Sequence, residues 1–138
     1  MSIRKWFHGK ASVVAGLGIP ADRVFAAGAV GAAIPGDSPT RPFAVIRYGP
    51  RNPGVQPNFP VKQQVASVWV HDEPGTMKNI DAAVEALEVG LKNVAPVAFE
   101  GMKVMECRWI GNSEDFYDDH FQTNVVNVEF QLTWKPAP

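Results

Sequence analysis

The stretch Phe121-Gln-Thr-Asn-Val-Val-Asn-Val-Glu-Phe-Gln-Leu-Thr-Trp134 decides the fold of this chain, because its side chains alternate between two chemical types. Only an extended strand gives side chains a period of two, so the stretch predicts a long strand with one face in the core. The apolar row is Val126, Val128, Phe130, Leu132 and Trp134, and the opposite row is Thr123, Asn127, Glu129, Gln131 and Thr133. The second row is rich in Asn, Gln and Thr rather than Lys, which favours contact with another surface.

Similar patterns upstream predict the other elements. An amphipathic helix is expected from Met77 to about Asn93, with Thr76 as its cap and Pro96 beyond its end. A shorter helix is expected over Ser2–Leu17, where Gly16 and Gly18 end the apolar stripe. The remaining predicted strands are Arg23–Ala27, Pro42–Tyr48, Lys62–His71 and Lys103–Ile110, and residues 111–120 are predicted to form a polar connection.

Two segments rich in proline and glycine are predicted to be long loops, over residues 28–41 and 49–61. The first has almost no bulky side chain, so it buries too little apolar surface to order itself. The second holds four prolines between Gly49 and Pro60. Proline lacks the N–H that helices and sheet interiors need, so this segment is expected to project or to cover a surface.

These elements predict a single domain over residues 1–138 with an α+β fold. We expect a mostly antiparallel sheet of about four to five strands, with the helix over residues 77–93 packed on one face. The predicted core is Val45, Val68, Val70, Ile80, Val84, Leu87, Leu91, Val104, Val128, Phe130 and Leu132.

Composition excludes several classes of protein. The single cysteine, Cys107, cannot form an internal disulfide and is compatible with a reducing cytoplasm. No apolar run approaches about 20 residues, so no membrane-spanning helix is expected. No glycine-rich phosphate loop and no spaced set of metal ligands is present, so we expect no cofactor and no metal.

Charge is distributed unevenly along the chain. Residues 1–60 carry seven bases and two acids, whereas residues 61–138 carry six bases and twelve acids. The interpretation we favour from sequence is that the two halves interleave in one sheet, which would cancel the asymmetry. The alternative is a dipolar protomer that meets copies of itself head to tail.

Three groups of residues invite a chemical interpretation. The cluster His71-Asp72-Glu73 resembles metal ligands, but adjacent residues seldom converge on one ion, and a turn at a strand end explains them. The acidic segment 114–120 lacks the spacing of a calcium loop, so a solvated turn anchored by Phe116 and Tyr117 is expected. Cys107 has no nucleophile signature and fits a buried apolar position better than a pair with His8, His71 or His120.

Three segments together form a recognisable pattern: Ser67-Val-Trp-Val70, the helix from Gly75 to Leu91, and Cys107-Arg-Trp-Ile-Gly-Asn-Ser-Glu-Asp-Phe-Tyr-Asp-Asp119 with the strand to Trp134. This pattern resembles the tail terminator proteins of long-tailed (siphovirus-type) phages. In that family a strand precedes the helix, and a turn carrying Asp and an aromatic precedes the last strand. The match covers the second half of the chain well and the first half by layout.

This resemblance implies a structural virion protein without enzymatic activity. Such proteins form a six-membered ring at the head-proximal end of the tail tube, where they stop tube polymerisation. The implied partners are further copies of the chain, the major tail tube protein and a head-completion protein, with genome DNA passing through the lumen without sequence-specific binding. The implied location is the neck region of the tail, after synthesis in the host cytoplasm.

Two groups of residues are predicted to form contacts on the basis of charge and expected exposure. Arg47, Arg51, Asn58 and Phe59 are assigned to a contact arm, and Glu114, Asp115, Asp118 and Asp119 to the acidic side of a contact. Two alternatives remain open. One is a head-completion or adaptor protein at the same junction, and the other is a small metal-dependent enzyme using His71, Asp72 and the acidic segment 114–120.

Overall fold

The computed structural model describes residues 3–14, 18–26, 41–52, 61–91 and 96–136. Two helices and one mostly antiparallel, curled sheet confirm the predicted α+β class. The helices are α1 (Ile3–Val14) and α2 (Lys78–Leu91), and a 3₁₀ turn spans Ala21–Arg23. The strands are β1 (Val24–Ala26), β2 (Phe43–Asn52), β3 (Lys62–Asp72), β4 (Val97–Phe99), β5 (Met102–Asn112), β6 (Phe116–Asp118) and β7 (Thr123–Pro136).

The last strand, β7, is the centre of the sheet, whose order is β1-β2-β3-β7-β5-β4. One edge of β7 pairs with β3 without a register break, from Lys62 opposite Trp134 to Asp72 opposite Asn124. Its other edge pairs first with β6 and then with β5. All pairs are antiparallel except β1 with β2. The long alternating stretch therefore became the strand around which the rest of the sheet is arranged.

Both helices pack on one face of the sheet and enclose the main core. The apolar row of β7 points into it, as predicted, and all five side chains of that row are buried. Their partners from the helices are Ile3, Trp6, Phe7, Ala11, Ile80, Ala83, Leu87 and Leu91. The predicted cap of α2 is also present, since the backbone N–H of Lys78 donates to the Thr76 hydroxyl at 3.4 Å.

The predicted number of strands, about four to five, is wrong, because the described sheet has seven. The two strands without a sequence signal, β4 and β6, have three residues each. Three residues are too few to show an alternation of apolar and polar side chains. The segment 111–120 is therefore only partly a connection, since β6 lies inside it.

The strand predicted to end at Tyr48 continues to Asn52. A register shift between Tyr48 and Arg51 lets β2 pass Gly49 and Pro50, after which Arg51 pairs with Gln64. A bulge tolerates a residue without an N–H, so proline did not end the strand. The loop predicted over residues 49–61 thus begins too early, and residues 28–40 and 53–60 lie outside the described part of the chain.

Two predicted core residues occupy different positions from those expected. Val45 is buried, but on the face opposite the helices, in a second cluster with Phe43. Ala44 and Ile46 take the place in the main core instead. Val84 is only half-buried and packs against the edge of the main core. The other nine predicted core residues are fully buried.

The expectation that the two halves of the sequence interleave in the sheet is wrong. Residues 1–60 supply α1, β1 and β2, and the two strands lie together at one edge of the sheet. Residues 61–138 supply all the other strands and α2. The strands of the two halves are therefore segregated, whereas α1 of the first half extends across the helix face to the opposite edge, where Lys5 pairs with Glu100 at 2.8 Å. Of the described helices, none is long and apolar enough to cross a membrane.

Candidate functional site

The face of the sheet opposite α1 and α2, here called the open face, carries a second and smaller apolar cluster. Phe43 and Val45 are buried there, and Phe25, Trp69 and Phe121 pack around them while half-exposed. No described helix covers this face. Its outer part consists of polar side chains, among them Gln63, Ser67, Arg108, Glu129 and Gln131. The open face thus combines aromatic rings with hydrogen-bonding groups, as protein contact surfaces commonly do.

His71 is the buried polar residue at the centre of this aromatic cluster. Its ring stacks on Phe43 with centroids 4.5 Å apart and meets the edge of Phe121 at 5.4 Å. Its Nδ1 shares a hydrogen bond of 2.8 Å with the Thr123 hydroxyl. Burial lowers the pKa of His71 to about 4, although Asp118 acts in the opposite direction. The imidazole is therefore neutral near pH 7 and has a structural role in the fold.

The residues Asn112–Asp119, here called the acidic tip, are anchored to the sheet at both ends. Phe116 meets the Trp69 ring edge to face, with centroids 5.8 Å apart. The Ser113 backbone N–H donates to the Asn127 carbonyl at 2.8 Å, and the Ser113 hydroxyl accepts a hydrogen bond from the Asn127 backbone N–H. Of the two aromatic anchors that were predicted, Phe116 therefore holds the turn against the sheet, whereas Tyr117 is half exposed.

The four acidic residues predicted to form a contact differ in their surroundings. Glu114, Asp115 and Asp119 are exposed. Asp118 is half-buried, and its Oδ1 accepts the Phe121 backbone N–H at 3.0 Å. Asp118 therefore stabilises the turn into β7, whereas the other three carboxylates remain at the surface. Tyr117 lies among them with 50% of its surface exposed.

The predicted contact arm is described only in part. Arg47 is exposed on the open face, and its guanidinium carbon lies 6.0 Å from the centroid of the Trp69 ring. Arg51 belongs to β2 by its backbone pairing with Gln64. Asn58 and Phe59 lie outside the described residues. Arg47 and the acidic tip therefore flank the same aromatic side chain, which sequence reasoning did not foresee.

The candidate metal ligands do not converge. Asp72 is buried and accepts hydrogen bonds from the Glu73 backbone N–H at 2.8 Å and from the Asn79 side chain at 3.1 Å. Glu73 is exposed, and His71 is engaged with Thr123. Within the described ranges, no group of three or more His, Cys, Asp or Glu residues is arranged to hold a metal ion.

Cys107 occupies the buried apolar position that its sequence context predicts. It lies opposite Leu132 in the sheet and belongs to the main core. Burial raises the pKa of the Cys107 thiol to about 12, with a smaller effect in the same direction from Glu106. His71 lies on the other face of the sheet, and His8 is bonded to the Val24 carbonyl at 2.7 Å. Neither arrangement activates the thiol as a nucleophile.

Trp69 and Asn127 are the residues of the open face that sequence reasoning missed. They lie opposite each other on β3 and β7. Trp69 Nε1 and Asn127 Oδ1 are buried and have no hydrogen-bond partner among the described residues. The only sequence signal was their position in the rows opposite the apolar core rows. Alternation predicted the face, but not which of its polar atoms would become buried.

The comparison with known proteins bears on the fold. The sequence matches no protein-family model and no curated protein sequence. Among solved structures, a chain from the virion of a native gene transfer agent (GTA) particle has a similar fold, with a TM-score of 0.61 and 13% sequence identity. The similarity covers 89% of this chain and 84% of that chain. At this identity the similarity establishes a shared fold.

Proposed function

We propose that this chain is a structural protein of a phage-type virion. The observation that carries the proposal is the fold shared with a chain of the GTA virion over 89% of the present chain. The described residues form no metal site, and their single thiol is buried in the core. The role that we propose rests on contacts between surfaces and involves no chemical transformation.

Within the virion, we propose that the protein is the tail terminator. It forms a ring, expected to be hexameric, on the head-proximal end of the tail tube. One ring face binds the last ring of the tube, and the other face presents no surface on which a further tube subunit adds. The second ring face then contacts a head-completion protein, and DNA passes through the centre. The resemblance of the segment from Ser67 to Trp134 to that family supports this assignment.

The open face suits assembly with neighbouring proteins. Half-exposed aromatic side chains surround His71 there, and polar side chains of β3, β5 and β7 extend the surface. Aromatic centres with polar rims are typical of specific contacts.

A direct test of the virion assignment is to locate the protein in purified particles. We expect mass spectrometry of intact particles to detect the chain at a few copies per virion, and a gold-labelled tag on it to mark the head–tail junction. Absence of the chain from purified particles that are infectious or competent for gene transfer would contradict the assignment. A label along the whole tube would contradict only the proposed position at the end of the tube, and the virion assignment would stand.

A further inference from the structure

We propose that the acidic tip of a second copy of this chain docks in a basic groove between α1 and β2, so that copies join head to tail. Arg4, Lys5 and His8 of α1 line one wall of this groove, and Ile46, Arg47 and Tyr48 of β2 line the other. The inference rests on the ring assembly proposed above and names the two surfaces that form the contact.

The groove has the size and position of a docking site for a few side chains. Its volume is about 560 Å³, within the range of sites that enclose small ligands. It lies where β1 ends, since Ala26 opposite Ile46 is the last pair of β1 with β2. Beyond Ile46, the outer edge of β2 has no strand neighbour within the described ranges. An open edge of this kind also offers backbone groups to an incoming segment.

Two guanidinium groups flank the outer edge of β2, where an acidic partner can reach both, one on the groove side and one on the open face. Arg4 lies over the Tyr48 ring at 4.8 Å, and Arg47 lies near the Trp69 ring. Neither forms an ion pair with a carboxylate of the described residues, whereas Lys5 is already paired with Glu100 at 2.8 Å. Arginine side chains held against aromatic rings are well suited to bind carboxylates through two parallel hydrogen bonds.

The acidic tip has the complementary chemistry. Glu114, Asp115 and Asp119 are exposed, and the described residues provide no ion pair for them. Tyr117, half of whose surface is exposed, adds an aromatic side chain that can enter the groove. An aromatic anchor with flanking charges of the opposite sign to the groove is the arrangement that gives both affinity and orientation.

The tip of one chain does not fill the groove of the same chain. Phe116 holds the tip against Trp69, and the paired backbone bonds of Ser113 with Asn127 hold it beside β7. In this position none of its carboxylates pairs with Arg4 or Arg47. The contact therefore needs a second copy. The two surfaces are different, so each protein molecule carries one groove and one tip. A series of such contacts between successive copies can close into a ring.

The test exchanges the charges of the two surfaces in the full-length chain. A groove variant carries Arg4→Glu and Arg47→Glu, and a tip variant carries Glu114→Lys and Asp115→Lys. We expect either variant alone to self-associate at least about tenfold more weakly than the wild type, because like charges then meet. An equimolar mixture should regain assembly, because each reversed surface meets its reversed counterpart. Sedimentation velocity at low ionic strength over a range of concentrations measures this.

Matched controls separate surface complementarity from net charge. One control variant carries Lys62→Glu and Lys78→Glu, and its net charge changes by as much as that of the groove variant. The other carries Asp81→Lys and Glu85→Lys, and its net charge changes by as much as that of the tip variant. All four residues are exposed and none lines the groove or belongs to the tip. We expect both control variants to associate like the wild type. Thermal melting of every variant verifies that it folds, as the exposure of the exchanged residues leads us to expect.

Three results would overturn the inference. The first is a wild type that stays monomeric at every concentration, and the second is a mixture of folded groove and tip variants that does not assemble. The third is loss of DNA binding by the groove variant without restored assembly in the mixture, which would assign the groove to phosphates instead. None of these results bears on whether the protein is part of the virion. The labelling of purified particles tests that proposed function separately.

Discussion

At the scale of single residues, His71 couples the stability of the protein to pH. Its folded pKa of about 4 lies below its usual value of 6.5. As pH falls below 6.5, the unfolded state therefore binds the proton first, and the folded state loses relative stability until both are protonated near pH 4. From these two pKa values, the loss from this group between pH 7.5 and pH 5 is about 2 kcal/mol.

The variant His71→Phe isolates this contribution. It keeps a ring against Phe43 but removes the titrating group and the bond to Thr123, so we expect lower stability at pH 7.5 and a flatter decline towards pH 5. Urea denaturation at both pH values measures the difference. The control His120→Gln changes an exposed imidazole and should keep the slope of the wild type. An equally steep decline in His71→Phe would show that other groups cause the pH dependence.

Single residues also show which features could be predicted from the sequence and which could not. The burial of Cys107 followed from its apolar neighbours in a strand. The separation of Asp118 from the other acids of the tip did not, because it depends on a backbone N–H that the turn brings within 3.0 Å. For the same reason, reversing the charge of Asp118 is a poor test of assembly, since it would also disturb the turn.

At the scale of elements, two glycines near α1 have opposite roles. Gly9 lies in α1, and a side chain added there would meet no atom within 4 Å. Gly18 follows α1, and a Cβ there would collide with the Asn79 carbonyl oxygen and come within 2.8 Å of the Ala83 nitrogen. Gly18 therefore permits the chain to pass closely over α2, whereas Gly9 only weakens its helix.

The pair of variants Gly9→Ala and Gly18→Ala tests this distinction. Gly9→Ala should raise the free energy of unfolding by up to about 1 kcal/mol, through helix propensity alone. Gly18→Ala should lower it by about 1–3 kcal/mol, because backbone atoms of α2 must move. Chemical denaturation of both variants beside the wild type checks the signs. A stabilising Gly18→Ala would mean that the close approach to α2 is absent.

The length of an element decided how well it was predicted. β7, with 14 residues, shows its two rows plainly, and so does the helix stripe of α2. β4 and β6 carry no such pattern, because three residues complete hardly more than one period. In β2 both rows contain apolar residues, Phe43 and Val45 in one and Ala44 and Ile46 in the other. Which row faces the helices was settled only by packing against α1 and α2, and this placed Val45 on the open face.

At the scale of the whole molecule, strand order determines where the unevenly distributed charges of the sequence lie in the sheet. The order β1-β2-β3-β7-β5-β4 keeps β1 and β2, the strands of the more basic first half, at one edge, while α1 of the same half reaches the other edge through Lys5 and Glu100. Strand order depends on long-range pairing, which no local pattern reports, and for this reason the interleaving favoured from sequence was wrong for the strands. The basic groove beside β2 and the acidic tip after β5 are two different surfaces of opposite charge, and this makes a head-to-tail contact between identical chains physically reasonable.

The central claim, that this protein ends the growth of a tail tube, is tested most directly by tail length. In particles made without the protein, electron microscopy should show tubes of variable and excessive length that are not joined to heads, and the wild-type chain supplied in trans should restore one length. An adaptor role would instead give tails of normal length detached from heads. Tails of normal length joined to heads in the absence of the protein would contradict the account.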